Sequence, residues 1–340
     1  MNRPAGQRTE RGHPCSREWR ARRWRRRSAL LGVTVVCVAG VLATASVAES
    51  DPPQLARKFD EKQFKEWTLA GPLGQTPAHV TDALPLSDQQ NKSDWVKFEP
   101  MSDEFDGPAL DTNKWHVGLE WWKGRPPAPF LAKNVTIQGG QLHLTMRKEK
   151  LPPEFDPSRY HDYSSAALHS RARTAYGYFE VSARPMNSAG SSAFWFQQDA
   201  TPNWRTEIDV FEIGGNANGF ERKDNMNVHV FETPDEKRHW DRHGEWLAPW
   251  RWADAFHVFG LEWNADEINY FVDGVMVRRV PNTHWHQPLY LIFDSETMTG
   301  WFGMPADADL PSTFTVEYVR AWKRKGPAVP SGRGGSAGLR

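Results

Sequence analysis

The stretch Glu207-Ile208-Asp209-Val210-Phe211-Glu212 sets the tightest limit on what this chain can fold into. Three carboxylates alternate with apolar residues of high strand propensity. Successive side chains on a strand point to opposite faces, so Glu207 and Asp209 share a face. Glu212 lies an odd number of residues from Glu207, which puts it on the other face of an ideal strand. One extra residue, a β-bulge between Asp209 and Glu212, restores the parity and brings all three acids to one face. A row of carboxyls on an otherwise apolar strand is costly unless it lines a wet cleft.

The surrounding sequence agrees with a β architecture. From Trp95 to Trp322 short strand patterns alternate with turn signals, and hardly any ten-residue helical period intervenes. Strands are expected at 135–137, 141–146, 178–184, 192–197, 206–213, 225–231, 256–263, 268–272, 275–280, 289–294 and 313–323. Gly139-Gly140 and Asp273-Gly274 are hairpin turn pairs, the second of type I′. Many short strands without βαβ alternation point to an all-β sandwich of the jelly-roll type. There is no internal repeat of the kind a propeller needs. Seventeen Trp and 18 Phe suit a packed β core, and exposed indoles also suit stacking on sugar rings.

Both ends read differently. Residues 1–27 carry ten Arg and two acids, 28–48 carry no charge, and Ser46-Val47-Ala48 offers a cleavage site. That is the anatomy of a signal peptide at 1–48, with a twin-arginine flavour at Arg26-Arg27, and it predicts a secreted or periplasmic protein. An uncleaved membrane anchor is the alternative. Cys15 and Cys37 both fall in this segment, so the mature chain relies on its core and not on disulfides. Once 1–48 leaves, the balance of 42 basic and 42 acidic residues becomes 32 and 40, a net of −8. That argues against nucleic acid as a partner. Residues 49–92 read as an extension or linker with one helix around 54–67, 93–325 as the catalytic domain, and 326–340 as a disordered tail.

With the bulge, Glu207 and Glu212 lie about four ladder steps apart, or ~13 Å between Cα atoms at ~3.3 Å per step. Inward-leaning side chains bring the carboxyls towards the ~5–5.5 Å of a retaining glycosidase, without closing off the wider gap of an inverting one. In the retaining scheme Glu207 is the nucleophile and Glu212 the general acid, then base. Asp209 between them can hydrogen-bond Glu207 and hold up a neighbouring pKa by like-charge proximity. The alternative is a solvent-exposed acidic stripe.

Glu-x-Asp-x-x-Glu with this bulged spacing resembles the catalytic signature of glycoside hydrolase family 16. Asp103-Glu104-Phe105-Asp106-Gly107 followed by Leu110-Asp111 and Trp115 resembles its opening strand. The segment 256–263, the Val272-Asp273-Gly274 hairpin and Tyr318-Val319-Arg320-Ala321-Trp322 resemble its later strands. The likeness covers roughly 93–324. It implies a concanavalin A-like β-jelly roll with a concave substrate cleft, and a retaining endo-hydrolase of β-linked polysaccharide with the three acids in those roles. Trp121-Trp122-Lys123-Gly124-Arg125-Pro126-Pro127, Phe130, Asn134-Val135 and Phe293-Asp294-Ser295-Glu296, with Trp301 and Gly303, are similar to the branch acting on red-algal galactans: agarases, porphyranases and κ-carrageenases. The run 191–196 lacks the Trp-Pro-Ala of laminarinase-like β-glucanases.

An agar- or porphyran-type galactan is the expected substrate, with κ-carrageenan or a laminarin-type glucan as alternatives. The resemblance makes Trp195 a sugar-stacking residue and His229 a substrate contact. Trp121, Arg125, Trp204 and Glu296 are further substrate-binding candidates, Arg125 towards a hydroxyl or a sulfate. For the tryptophans the alternative is core packing, for His229 a structural role, and for Arg125 and Glu296 a surface ion pair. A non-catalytic carbohydrate-binding protein and a transglycosylase are the rival functions.

His239-x-x-x-His243 has the spacing of a metal-binding pair but lacks the glutamate of a zinc protease, and His284-Trp285-His286 is a thin metal hint. Gly214–Gly219 is a turn and not a dinucleotide loop. No catalytic metal or organic cofactor is expected. The family resemblance implies a structural Ca²⁺ on the convex side, where the closing-strand aspartate is replaced by Glu317. A polysaccharide substrate, no stable membrane association after signal cleavage and a monomer complete the expectations.

Overall fold

The computed structural model describes residues 65–198 and 203–325. The expected signal peptide, the tail and most of the expected helix at 54–67 lie outside the described residues. The described end of that helix differs from expectation: Trp67–Thr68 is a short strand opposite Arg279 and Arg278. An open strand edge there offers backbone partners that a helix would leave unused.

Among the described residues, ten strands and seven strands form two antiparallel sheets. Their packed inner faces build one large core, the β-sandwich jelly roll that the short alternating strands led us to expect. In the seven-stranded sheet the order is Trp240–Leu247, Lys223–Glu232, Arg205–Gly214, Ser191–Gln197, Tyr290–Glu296, Ala166–Ser170 and Trp115–Val117. The acid strand, Arg205–Gly214, is therefore central, with a partner on each side.

The bulge is where the parity requires it. Asp209 lies opposite Asn227 and Glu212 opposite Asn225, so three steps on the acid strand meet two on its neighbour. On the other side Asp209 faces Trp195 while Phe211 faces Phe194. Ile208, Val210, Phe211 and Ile213 all enter the core, and the acids emerge on the opposite face. Both expected hairpin turns hold: Asp273 and Gly274 have φ of 46° and 77°, the left-handed pair of a type I′ turn.

Besides Trp67–Thr68, five shorter or polar strands escaped the periodicity. The longest is Trp240–Leu247, whose alternation is between charged and half-buried residues at a sheet edge. An edge strand buries only part of one face, so its apolar signal is weak. Residues 65–92 pack along the sandwich. The Trp246 indole donates to the Gly71 carbonyl at 2.9 Å, the Trp322 indole to Ala83 at 2.8 Å, and Leu86 N–H to Glu180 at 2.7 Å. No helix among the described residues is long and apolar enough to cross a membrane.

Gly215, at the turn that ends the acid strand, has no room for a side chain: a Cβ would lie 2.2 Å from the Met186 carbonyl oxygen. Backbone cannot give way as a flexible side chain does. Gly215→Ala is expected to cost about 1–3 kcal/mol in urea unfolding. An unchanged midpoint would show that this turn is not rigid.

Candidate active site

Because every strand here presents alternate residues to the concave face, opposed positions line up as rows across the sheet. One row runs His243, Asn227, Asp209, Trp195, Ile292, His169, His116. The next runs Glu245, Asn225, Glu212, Ala193, Asp294, Ala167. Glu207 stands opposite His229 in a third. The bulge is what places Glu212 in register with this polar floor.

Each acid has its own surroundings. His229 Nε2 lies 3.2 Å from Asp209 Oδ2 and 3.8 Å from Glu207 Oε1. The Gln197 amide donates to Glu207 from the neighbouring strand. Asn227 Nδ2 donates to Glu212 Oε2 at 2.8 Å, and its Oδ1 accepts from His243 Nδ1 at 2.8 Å. From the core side, the Trp285 indole donates to the carbonyls of Glu207 at 2.8 Å and His229 at 3.2 Å. That bond pins the two strands carrying the nucleophile candidate and the histidine to the layer beneath.

Electrostatics separates the two glutamates. Burial, then the charge of Asp209, pushes Glu207 up to about 7, against the pull of His229, Arg205 and Arg125. Glu212 is raised well above the ordinary carboxylate range by burial and by the charges of Asp209 and Glu296. Burial works against a charge on His229, but the Asp209 hydrogen bond and the charges of Asp209, Glu207 and Glu212 raise it to about 10. The floor therefore favours an imidazolium beside Glu207 and Asp209, and Glu212 holds its proton more firmly than an ordinary carboxyl does.

The other expected residues, Trp204 apart, fall on one side of the acids, with a difference in how they act. Arg125 and Glu296 bind each other: Nε and Nη2 of the arginine reach the two carboxylate oxygens at 3.0 and 3.3 Å. The Glu296 side chain is 5% exposed and that of Arg125 47%, so the pair is buried at its carboxylate and open to solvent at its guanidinium. Trp195 is 7% exposed and donates its indole N–H to Asp294 Oδ2 at 3.1 Å. It is thus part of the floor, and offers a sugar little open ring face. Trp121 is half-buried and stacks on Tyr290 with centroids 5.8 Å apart; Trp122 meets Trp195 edge-on and lies under the Arg125 guanidinium. Trp204 stands one residue before the acid strand, half-buried. Of the residues set aside, His243 supports Asn227, and Trp285 of the His284–His286 run is the indole beneath the acids.

Asn225, Asn227, Gln197 and Tyr290 were not singled out from the sequence, and Trp122 and Asp294 stood there only within longer motifs. Asn225, Asn227 and His229 alternate along one strand face, a polar row as legible as the acids themselves. The pairing of Asp294 with Trp195 had no such signal.

Residues 95–324 match the family model described as beta-porphyranase A-D, GH16 domain. The chain belongs to glycoside hydrolase family 16. It is 29% identical over 257 residues to beta-porphyranase B of Zobellia galactanivorans, covering 69% of this chain and 87% of that protein. It is 31% identical over 251 residues to beta-porphyranase E of the same organism, covering 67% and 88%. The crystal structure of porphyranase B from Z. galactanivorans matches with a TM-score of 0.60 at 28% identity, over 67% of this chain and 92% of that one. As a family 16 member it is an endo-acting glycoside hydrolase, with porphyranases and a kappa-carrageenase among its relatives.

The raised carboxyl pKa carries a stability signature. Glu207 binds its proton more tightly folded, at about 7, than at its ordinary 4.5. Its stabilisation is therefore complete below pH 4.5 and lost as pH rises through 7. The unfolding free energy of the ligand-free protein, taken relative to Glu207→Gln, is expected to fall by a few kcal/mol across that window. A flat difference would mean that Glu207 is solvated like a surface glutamate.

Proposed function

We propose that this chain is an exported, retaining endo-hydrolase of agar- or porphyran-type galactan, working by double displacement. The observation that carries the reading is the bulged acid strand, on which burial and like charge hold a proton on Glu212 while His229 lies beside Glu207 and Asp209. Glu212 donates its proton to the glycosidic oxygen as the bond to the anomeric carbon breaks, and Glu207 forms a bond to that carbon. Water then attacks the same carbon, Glu207 leaves, and Glu212 takes up the proton of the water. Two inversions give net retention. Asp209, paired with the His229 imidazolium, adjusts both neighbours and forms no bond to the sugar.

Arg125 already spends its charge on Glu296, which favours hydroxyls or sparse sulfation over a densely sulfated chain. The net charge of −8 without residues 1–48 leans the same way. The names of the relatives support porphyran first. Trp121 and Trp122 supply the aromatic wall, and Trp204 is placed to meet the chain at the entrance of the acid strand.

Of the residues implied for a structural Ca²⁺, Glu104 does not fit one. Glu104 is gripped by Arg320 Nε and Nη2 at 2.9 and 2.8 Å and by Lys97 at 3.2 Å, and Glu317 accepts the Ser182 hydroxyl at 2.6 Å. The charge of Glu104 is answered by two cations, Glu317 has the neutral Ser182 hydroxyl, and no step runs through an ion there. Export by way of 1–48 and a monomeric state complete the proposal.

Purified protein is expected to release reducing ends from porphyran or agarose and, by product sizing, to yield oligosaccharides from the outset. Release only from laminarin or κ-carrageenan would move the substrate, and binding without cleavage would make it a carbohydrate-binding protein. Glu207→Gln is expected to lower turnover roughly 10⁴-fold or more while retaining oligosaccharide binding; near wild-type turnover would remove the nucleophile from Glu207. Proton NMR of the first product should show the β-anomer, and the α-anomer would establish inversion.

A further inference from the structure

The row that carries Asp209 ends, several strands away, in two histidines. His116 on Trp115–Val117 lies directly opposite His169 on Ala166–Ser170. The chain then turns at Gly118, with φ of 88°, and Leu119 bridges to Trp122. That turn brings Glu120 over both rings: Oε1 lies 3.3 Å from His116 Nε2, and Oε2 lies 2.9 Å from His169 Nε2.

His169 is 4% exposed, and its Nδ1 sits 2.8 Å from the Ser170 carbonyl oxygen. A carbonyl only accepts, so Nδ1 carries the hydrogen. Nε2 then faces a carboxylate oxygen at 2.9 Å, a contact that needs a positive partner: either a second proton on the ring or a metal ion shared with Glu120. Fixing a ring by an Nδ1–H to a carbonyl while Nε2 faces outward is the arrangement of metal-binding histidines. Two imidazole nitrogens and one carboxylate oxygen lie within 4.8 Å of one another. Bonds of about 2.0–2.2 Å to one ion hold tetrahedral ligand atoms roughly 3.3–3.6 Å apart, which the 3.3 Å between Glu120 Oε1 and His116 Nε2 matches and the rest of the set reaches by small side-chain rotations.

We propose that His116, Glu120 and His169 form a site for a divalent transition-metal ion of the Zn²⁺ kind. Two imidazoles and a carboxylate suit such an ion better than Ca²⁺ or Mg²⁺, which prefer all-oxygen sets. The ion clips the 118–122 turn to the sheet, and with it Trp121, whose ring lies 5.4 Å from that of His169. Tyr290, stacked on Trp121, lies 4.6 Å from the same imidazole. The ion thus stiffens an aromatic wall of the cleft from a position well away from the acids. The cluster His229, Glu207 and Asp209 is of similar size, but there the histidine already holds its proton firmly against two carboxylates. The site does not depend on which polysaccharide the cleft accepts.

The test is calorimetric titration of chelator-stripped full-length protein with ZnCl₂, paralleled by visible absorption with Co²⁺. One ion per chain and Co²⁺ d–d bands are expected, and His116→Gln and Glu120→Gln should each weaken binding about ten-fold or more. Both side chains reach solvent, at 31% and 58% exposure, so these variants keep the fold where His169→Gln could lose it. His239→Gln, in a separate cluster with His229 and Asp241, should bind as wild type. Absence of stoichiometric uptake, uptake unchanged in both His116→Gln and Glu120→Gln, or uptake lost in His239→Gln would each overturn the assignment.

Discussion

Burying several carboxyls side by side is the constraint around which this structure is arranged. Glu207, Asp209 and Glu212 share one face of a central strand, and Asp294 and Glu296 join them from a strand two positions away. Like charges this close, and this far out of water, cannot all be ionised. The protein meets the problem with cations at two points and protons elsewhere. His229 neutralises the Glu207–Asp209 end, Arg125 closes on Glu296, and Glu212 between them retains its proton. The asymmetry of two chemically identical glutamates is a consequence of where the cations stand.

Everything beneath the floor keeps that arrangement from relaxing. The indole of Trp285 ties the backbone of the Glu207 and His229 strands together from the core. Tyr270 donates its hydroxyl to the Asn227 carbonyl at 3.0 Å, steadying the residue that holds Glu212. Val210 and Phe211, the two residues inside the bulge, both enter the core, so straightening the strand would lift an apolar side chain out of it. A bulge held by packing on one face and by polar pairs on the other is a stable way to change the parity of a strand.

Much of this was readable beforehand, and the boundary is physical. Alternation and turn pairs report local preference, so the hairpin at Asp273-Gly274 and the bulge between Asp209 and Glu212 could be placed from the residues alone. Trp240–Leu247 was missed because an edge strand with one polar face and one half-buried face has little hydrophobic contrast. Arg125 and Glu296 were picked out separately as sugar contacts. Their mutual pairing joins positions 171 residues apart, a relation that periodicity does not encode. Trp195 was recognised for its place beside the acids, yet its burial and its bond to Asp294 depend on a third strand.

The sequence by itself determined an all-β chain, the strand that carries the acids and the bulge that aligns them, because side-chain parity is a local property of the backbone. Tertiary structure alone decided which acid keeps a proton, which charges cancel, and which aromatic rings face the cleft. Those outcomes depend on desolvation and on distances between strands far apart in the chain, and both exist only once the two sheets have closed on one another.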